Sequence, residues 1–458
     1  MVEKMLSVGI DVGTTTTQLV VSSITAQNQA SAFAVPQMEI TGREILYESP
    51  IQFTPLIRGE LVDGEEIRKI VEREYACAGI RREDVDTGAI IITGETSRKE
   101  NAEAVLYALS GFAGDFVVAT AGPDLESILA AKGAGAVEYS QVTGKTVLHM
   151  DIGGGTSNLA CIAEGNVQSV TCLNVGGRLV KLEENGRVSY VSPVLQGLVP
   201  YRVGEVLTLQ QAQDTAGMLA RVLEMAAGLC PKDDLYENFL TKEANSQWQP
   251  PKNAVISFSG GVADCIESER DWLSYGDLGP LLGQAIRQSQ LCRGEYRLGE
   301  QTIRATVIGA GCHSTQLSGS TVYCRNVSLP LKNLPVARLT KEEQELPAQA
   351  LAQLIRQRMN SLEGQGVLAL PGWTAPHYEQ ILSLAEAIVQ GIRERPVYVA
   401  LEADMAKALG HALTLRLGTE APCLCLDSIS LTPDSYLDVG QSLSTAYPVV
   451  IKTLIWNR

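Results

Sequence analysis

Ser7-Val8-Gly9-Ile10-Asp11-Val12-Gly13-Thr14-Thr15 stands near the start of the chain, and Leu148-His149-Met150-Asp151-Ile152-Gly153-Gly154-Gly155-Thr156-Ser157 repeats its plan far downstream. Each copy is an apolar run, an aspartate, an apolar residue, glycine, and then hydroxyl residues. The run predicts a buried strand and the glycine end predicts a tight turn. Glycine lets backbone N–H groups approach an anion closely, and Thr or Ser hydroxyls add donors. An aspartate at the strand tip suits a hydrated divalent cation. Two such hairpins facing each other would grip the phosphates of a nucleotide from both sides, with Asp11 and Asp151 as candidate catalytic and metal-binding residues.

Working outward, the surroundings of both copies follow one order. Around the first, Met5–Ile10 and Gln18–Ser22 read as strands and Glu65–Ala78 as an amphipathic helix. Ala89–Thr93 is a buried strand, Lys99–Ser110 a helix, Phe116–Ala119 a strand, and Glu126–Lys132 a helix ending near Gly133-Ala134-Gly135-Ala136. Around the second, a strand and hairpin at Val147–Ser157 and strands at Asn158–Ala163 and Val167–Leu173 precede a helical pattern over Leu207–Ala227. Ala254–Ser257 reads as a strand, Leu281–Gln288 as a helix, and Ala305–Ile308 as a strand ending in Gly309-Ala310-Gly311. The pattern is α/β, with two duplicated βββαβα-type lobes around a cleft. Lobe one spans residues 1–145 and lobe two 146–315, while 316–458 form a C-terminal α/β region. In that region Ala348–Met359, Tyr378–Ile392 and Ala403–Leu415 read as helices, and Val397–Leu401 and Cys423–Leu426 as strands.

Size and composition bound the function. The chain has 458 residues, 45% hydrophobic and 19% charged, which suits a globular protein of two or three domains. A net charge of −15 argues against a nucleic-acid binder or an anionic-membrane surface protein. The ten cysteines are scattered without metal-ligand spacing, and no apolar run is long enough to span a bilayer. A reduced, cytoplasmic protein is expected, with no nucleic-acid or membrane partner.

The remaining candidates each carry a plainer alternative. Gly13, Thr14, Thr15 and Thr16 are expected to bind phosphate, unless they form an ordinary β-turn. Gly153, Gly154, Gly155, Thr156 and Ser157 are their counterparts, and three consecutive glycines cost backbone entropy that a mere loop leaves unexplained. Ser259, Gly260 and Gly261 would let an adenosine ring lie flat against backbone, or else make a tight strand-to-helix turn. Asp124 and Glu126 are candidates for orienting a water or the metal, with favourable placement at a helix N-terminus as the alternative. Small residues around Gly133 and Gly309 suit a close helix approach at a hinge. Gly144-Lys145-Thr146 imitates a P-loop ending, but Tyr139 occupies the place of its leading glycine. His149, His313, His377 and His411 lack ligand spacing, and His149 reads as a buried structural histidine. No Gly-x-Ser-x-Gly elbow supports a hydrolase triad.

In combination these stretches resemble the actin, hexokinase and heat-shock-chaperone ATPase superfamily. The first hairpin, a connecting helix at Asp124–Gly135, the second hairpin, an adenosine loop at Ser259–Val262 and a second connecting helix at Gly309–Gly311 come in that family's order. The resemblance implies the actin-like ATPase fold. It carries nucleotide-site roles onto Asp11, Thr14, Thr15, Asp151, Gly154, Gly155 and Thr156, and nucleotide-site placement onto Gly309. Within the superfamily the chain is similar to the ethanolamine ammonia-lyase reactivating factors, the EutA family. Gly9–Thr17, Asp151–Asn158, Leu437-Asp438-Val439-Gly440 and Pro448–Leu454 carry that likeness. It implies an ATPase using ATP and Mg2+, with ethanolamine ammonia-lyase as partner and adenosylcobalamin handled on that enzyme. It also implies ethanolamine catabolism, often associated with a bacterial microcompartment, and leaves a homo-oligomer open. A small-molecule kinase of the same fold is the alternative, but no motif supplies its carboxylate base. A nucleotide-dependent structural protein is a third reading.

Overall fold

The computed structural model describes residues 2–13, 16–28, 38–57, 61–93, 109, 118–120, 123–242, 244–299, 301–313, 315–319, 321–362, 364–392, 396–432, 435–442 and 446–453. Thr14 and Thr15 lie outside these residues, as do the helix expected over Lys99–Ser110, apart from Leu109, and the first half of the strand expected at Phe116–Ala119.

Both hairpin repeats open a sheet of the same design. The first lobe contains β1 (Val2–Val12), β2 (Thr16–Asn28), β3 (Met38–Glu48), β4 (Thr87–Ile92) and β5 (Val118–Thr120), in the order β3-β2-β1-β4-β5. The short Gln52–Phe53 strand adds to β2 beside Thr16 and Thr17. The second lobe contains β6 (Val147–Ile152), β7 (Ser157–Ala163), β8 (Asn166–Leu173), β9 (Val255–Ser259) and β10 (Tyr296–Leu298), in the order β8-β7-β6-β9-β10. Three antiparallel strands are followed by two parallel ones in each. The central strand of each sheet therefore ends in a hairpin on one side and lies beside a parallel strand on the other. Two lobes with this strand order, each closing a glycine hairpin at the end of its central strand, make the actin-like ATPase fold.

Helices cover the sheets by presenting one apolar face. The Gly64–Ala78 helix starts at Asp63, whose side chain accepts from the Glu66 N–H at 3.1 Å, and stops at Gly79 with φ of +69°. Its buried Ile67, Val71 and Tyr75 pack with Val8, Ile10, Ile90 and Ile92 of the sheet. Each such fully buried aliphatic side chain contributes roughly 1.5–3 kcal/mol relative to exposure. In the second lobe, the Leu209–Ala226 and Gly279–Gln288 helices cover the same core as Met150, Leu159 and Phe258.

Two small-residue helices join the lobes. Pro123–Gly133 packs Leu129 with Ala89 and Ile91 of the first sheet, and Ala131 with Val147 and Ala160 of the second. Ala305–His313 crosses it backbone to backbone. A Cβ at Gly309 would lie 2.0 Å from the Leu129 carbonyl oxygen, and one at Gly133 would lie 1.8 Å from that of Ala305. Ser7 Oγ donates to the Gly311 carbonyl at 2.6 Å, which ties the second helix to β1.

The C-terminal region is built on an eight-stranded sheet. Leu331–Arg338, Val367–Leu370, Val397–Leu401 and Cys423–Leu426 run parallel in chain order, with the Ala348–Asn360, Tyr378–Ile392 and Ala406–Leu417 helices between them. Ser435–Val439 and Pro448–Thr453 extend it antiparallel, and Val450 reaches the cluster of Leu129 and Ala310.

Two expectations need correction. Ala305–Ile308 is the first turn of a helix instead of a strand. A four-residue apolar run has no resolvable period, and its burial on both sides reflects the helix crossing. The helix that opens at Pro123 ends at Gly133, in the small-residue run where its end was expected, and a turn through Gly135, at φ of +73°, starts a further helix over Ala136–Thr143. The helix expected from Ala403 begins at Ala406, after the turn at the end of Val397–Leu401.

The crossing generates a stability prediction. Gly309→Ala should lower the melting temperature, with a cost of roughly 1–3 kcal/mol or more from overpacking. Gly217→Ala, in an open helical position with no atom of the described residues within 4 Å of the new Cβ, should raise stability by roughly 0.5–1 kcal/mol. Equal melting temperatures for the two variants would contradict the packed crossing.

Candidate functional site

The two glycine turns are the same turn. The Gly13 N–H donates to the Thr16 carbonyl at 2.9 Å, and the Gly153 N–H donates to the Thr156 carbonyl at 2.9 Å. Each turn leaves an aspartate as the next-to-last residue of the central strand, Asp11 on β1 and Asp151 on β6. Outer loops hold the turns. Thr54 Oγ1 donates to the Gly13 carbonyl at 2.8 Å. On the other side, the N–H groups of Gly177 and Arg178 donate to the carbonyls of Gly153 and Gly154 at 3.1 and 2.6 Å.

The aspartates face one another closely enough to interact. Burial is the largest influence on Asp11 and pushes its carboxyl up to about 7; the Thr93 hydroxyl, donating at 2.9 Å, opposes this, and the negative charge of Asp151 adds to it. Burial also pushes Asp151 up to about 6, against hydrogen bonds from Ser259 and Thr306. Ser259 Oγ donates to Asp151 Oδ1 at 2.5 Å. Behind it stands His149, fully buried, with Nε2 3.0 Å from Ser259 Oγ and Nδ1 3.1 Å from Ser257 Oγ. Burial lowers the imidazole to about 3, so the ring is neutral.

The donor chemistry around the pair fits a hydrated cation. Gln18 lies directly across the strand pair from Asp11, and Asn158 directly across from Asp151. Residues opposed in an antiparallel pair point to the same face. Gln18 Oε1 and Asn158 Oδ1 are both buried and, among the described residues, without a hydrogen-bond partner. Two carboxylates flanked by two orphaned carbonyl oxygens form an acceptor-rich surface, which the outward-pointing hydrogens of a cation's water shell would satisfy. Among the described residues, no group of three or more His, Cys, Asp or Glu side chains could hold a bare ion. An ion that keeps its waters, as magnesium does, suits this arrangement.

The other candidates separate into cleft and scaffold. Gly155 is exposed with open space beside it, and Gly154 lies against the Arg178 side chain. Thr156 is half-buried at the turn, whereas Ser157 is fully buried with its hydroxyl donating to the Val175 carbonyl at 2.8 Å. Thr16 starts β2 and closes the first turn through its carbonyl. Gly260 has φ of +87° and sits where a Cβ would lie 2.3 Å from the Ile152 carbonyl oxygen, and Gly261 follows beside Ile303. Gly309 belongs to the helix crossing. Asp124 is exposed and Glu126 half-buried in the first turn of Pro123–Gly133.

Three participants escaped the sequence reading. Thr93 and Thr306 are hydroxyls at element ends, common in any sequence. His149 is the buried histidine its apolar neighbours predict, and strand alternation puts it on the same face as Asp151. Arg178 follows two glycines after a strand, which was the available signal. Its Nε donates to Asp277 Oδ2 at 3.0 Å, and its guanidinium carbon lies 5.9 Å from the centroid of the Phe53 ring on the other lobe.

The raised carboxyls generate a pH prediction for magnesium-free protein. A carboxyl that is protonated more readily in the folded chain than in the unfolded one adds stability that is present below the ordinary carboxylate range and lost as pH rises through its folded value. For Asp11 that window runs from the ordinary 3.8 to about 7. Relative to wild type, Asp11→Asn should therefore gain thermal stability as pH rises through this window, measured in chelator. A constant difference between the two proteins would contradict the buried placement.

Comparison with known proteins adds the family. The model of the family described as ethanolamine utilisation protein EutA matches residues 3–457. A protein named ethanolamine ammonia-lyase reactivase EutA from Salmonella typhimurium is 36% identical over 468 residues, covering 98% of each chain. Its namesake from Escherichia coli is 37% identical over 466 residues, again covering 98% of each. Among solved structures, ethanolamine utilization protein EutJ from Carboxydothermus hydrogenoformans aligns with 67% of this chain and 88% of its own, at 16% identity and a TM-score of 0.35. No described helix is long and apolar enough to cross a membrane. With a family match over nearly every residue and relatives aligned end to end, the chain belongs to the EutA family.

Proposed function

We propose that this protein binds ATP with magnesium between its two hairpins and uses hydrolysis to reactivate ethanolamine ammonia-lyase. The observation that carries the reading is the opposition of Asp11 and Asp151, each on a glycine turn of identical hydrogen bonding and each feeling burial in a cleft. The names of the Salmonella and Escherichia relatives supply the partner.

In this reading Asp11 and Asp151 hold magnesium through its waters, with Gln18 and Asn158 as further acceptors. Magnesium, when bound, neutralises the charge that builds on the phosphate oxygens. Thr14, Thr15, Thr156 and the open backbone at Gly155 bind those oxygens. Gly260 and Gly261 form the floor on the adenosine side, while Ser259, expected there too, is fully buried and holds Asp151 instead. Water attacks the γ-phosphorus, the bond to the β–γ bridging oxygen breaks, and ADP and inorganic phosphate are left. The ligand that spanned both hairpins is then in two pieces. Differential contacts in the ATP and ADP states shift the angle between the lobes, and the partner enzyme responds to that angle. Damaged cobalamin leaves the lyase, and intact adenosylcobalamin enters. The work is cytoplasmic, in the ethanolamine pathway and near the microcompartment that houses it.

Two experiments test this. Asp11→Asn and Asp151→Asn should each cut ATP hydrolysis by at least about tenfold, as expected when a charge-stabilising group is removed. Wild-type turnover in both would refute the assignment. Incubation of hydroxocobalamin-inactivated ethanolamine ammonia-lyase with this protein, ATP, magnesium and fresh adenosylcobalamin should restore lyase activity. Recovery that is no faster than without the protein would refute the partner.

A further inference from the structure

Ser257, His149, Ser259 and Asp151 form one hydrogen-bonded row across two parallel strands, and the nucleotide-binding reading leaves its histidine without a task. Register makes the row. His149 on β6 lies beside Ser257 on β9, and Asp151 lies beside Ser259. Residues two apart on a strand share a face, so all four side chains line up on one side of the sheet. His149 and Ser259 are fully buried, and Ser257 nearly so. The alternate residues Leu148 and Met150 are apolar and belong to the core. A position that needed only volume would take a similar residue, since burying an imidazole between two hydroxyls sacrifices hydration.

Counting protons fixes the direction of the row. A serine hydroxyl has one hydrogen to donate, and an ionised carboxylate can only accept. Ser259 therefore donates to Asp151 Oδ1, over the 2.5 Å separation. Its oxygen then has only lone pairs to offer His149, so Nε2 carries the ring hydrogen across 3.0 Å. A ring enclosed between two hydroxyls has one N–H, which leaves Nδ1 bare to accept from Ser257. Every donor points toward Asp151.

We infer that His149 is a positioning residue for Asp151: its Nε2–H orients the Ser259 hydroxyl, which holds the carboxylate in the one orientation that faces Asp11. The inference rests on the nucleotide-binding reading and deepens it, because it assigns the machinery that fixes one of the two strand-tip carboxylates. Thr306, from the helix joining the lobes, supplies the second restraint on the same carboxylate.

The test combines a spectroscopic signature with a variant series on the full chain. Nitrogen-15 NMR of histidine-labelled wild-type protein should show His149 with Nε2 protonated and Nδ1 bare; the opposite tautomer would overturn the inference. His149→Leu keeps bulk and removes the donor, whereas His149→Gln returns an N–H to the position of Nε2. Loss of such a supporting hydrogen bond costs about 10- to 100-fold in metal affinity or activity. His149→Leu should therefore lower kcat for ATP hydrolysis by about tenfold and raise the magnesium concentration needed, with the ATP KM within about twofold. His149→Gln should recover most of the loss. Ser259→Ala should match His149→Leu, and the double variant should be no worse than either single one. Equal kcat in His149→Leu and wild type, beside an inactive Asp151→Asn, would overturn the inference and leave the nucleotide site standing. Wild-type turnover in Asp151→Asn would instead remove the nucleotide site itself. If His149→Leu fails to fold, the wild-type tautomer and the Ser259→Ala kinetics decide.

Discussion

Two buried carboxylates close enough to influence one another are the constraint on which this structure turns. Burial alone raises Asp11 and Asp151, and the charge of the second raises the first further. Such a pair is uncomfortable without a compensating positive charge, because desolvation and like-charge repulsion act in the same direction. The orphaned oxygens of Gln18 and Asn158 make the same demand from the flanks. The site is short of donors, and a hydrated cation is a dense source of them.

The fold keeps the two tips together by joining the lobes at a crossing with no room for side chains. Gly309 against Leu129, and Gly133 against Ala305, bring two helices into backbone contact. The same pair of helices reaches both sheets and the C-terminal region, through Leu129, Ala131, Ala310 and Val450. Thr306, at the start of one of them, also reaches Asp151. The helix crossing and the Asp151 carboxylate are thus in direct contact. Arg178 adds a contact at the mouth, anchored to Asp277 on its own lobe and stacked over Phe53 on the opposite one.

The architecture was legible in the sequence where local physics decides it. The Asp11–Gly13 and Asp151–Gly153 turns are short-range features, and their flanking apolar runs, such as Ile10 and Met150, leave little choice but buried strands. Tyr378–Ile392 matches its expected bounds because its apolar residues recur at helical spacing, and Val397–Leu401 matches because a short apolar run of β-branched and aromatic residues suits a buried strand. Partnerships made through the third dimension were not legible. Nothing near Thr93 announces that it reaches Asp11, and His149 among apolar neighbours gives no sign of the serines waiting on the next strand. Ala305–Ile308 was misread because strand and helix bury a four-residue apolar run equally well. The antiparallel closing strands Ser435–Val439 and Pro448–Thr453 were missed, since their place in the C-terminal sheet depends on distant partners. Family likeness named the chemistry more finely than periodicity could.

The most direct measurement is a calorimetric titration of ATP into the full chain, with and without magnesium, for the wild type and for the protein carrying both Asp11→Asn and Asp151→Asn. The account predicts one ATP bound per chain in magnesium and an affinity at least about tenfold weaker in the double variant, as for loss of paired groups that hold a cation. No uptake by the wild type, or equal affinity in both proteins, would contradict it.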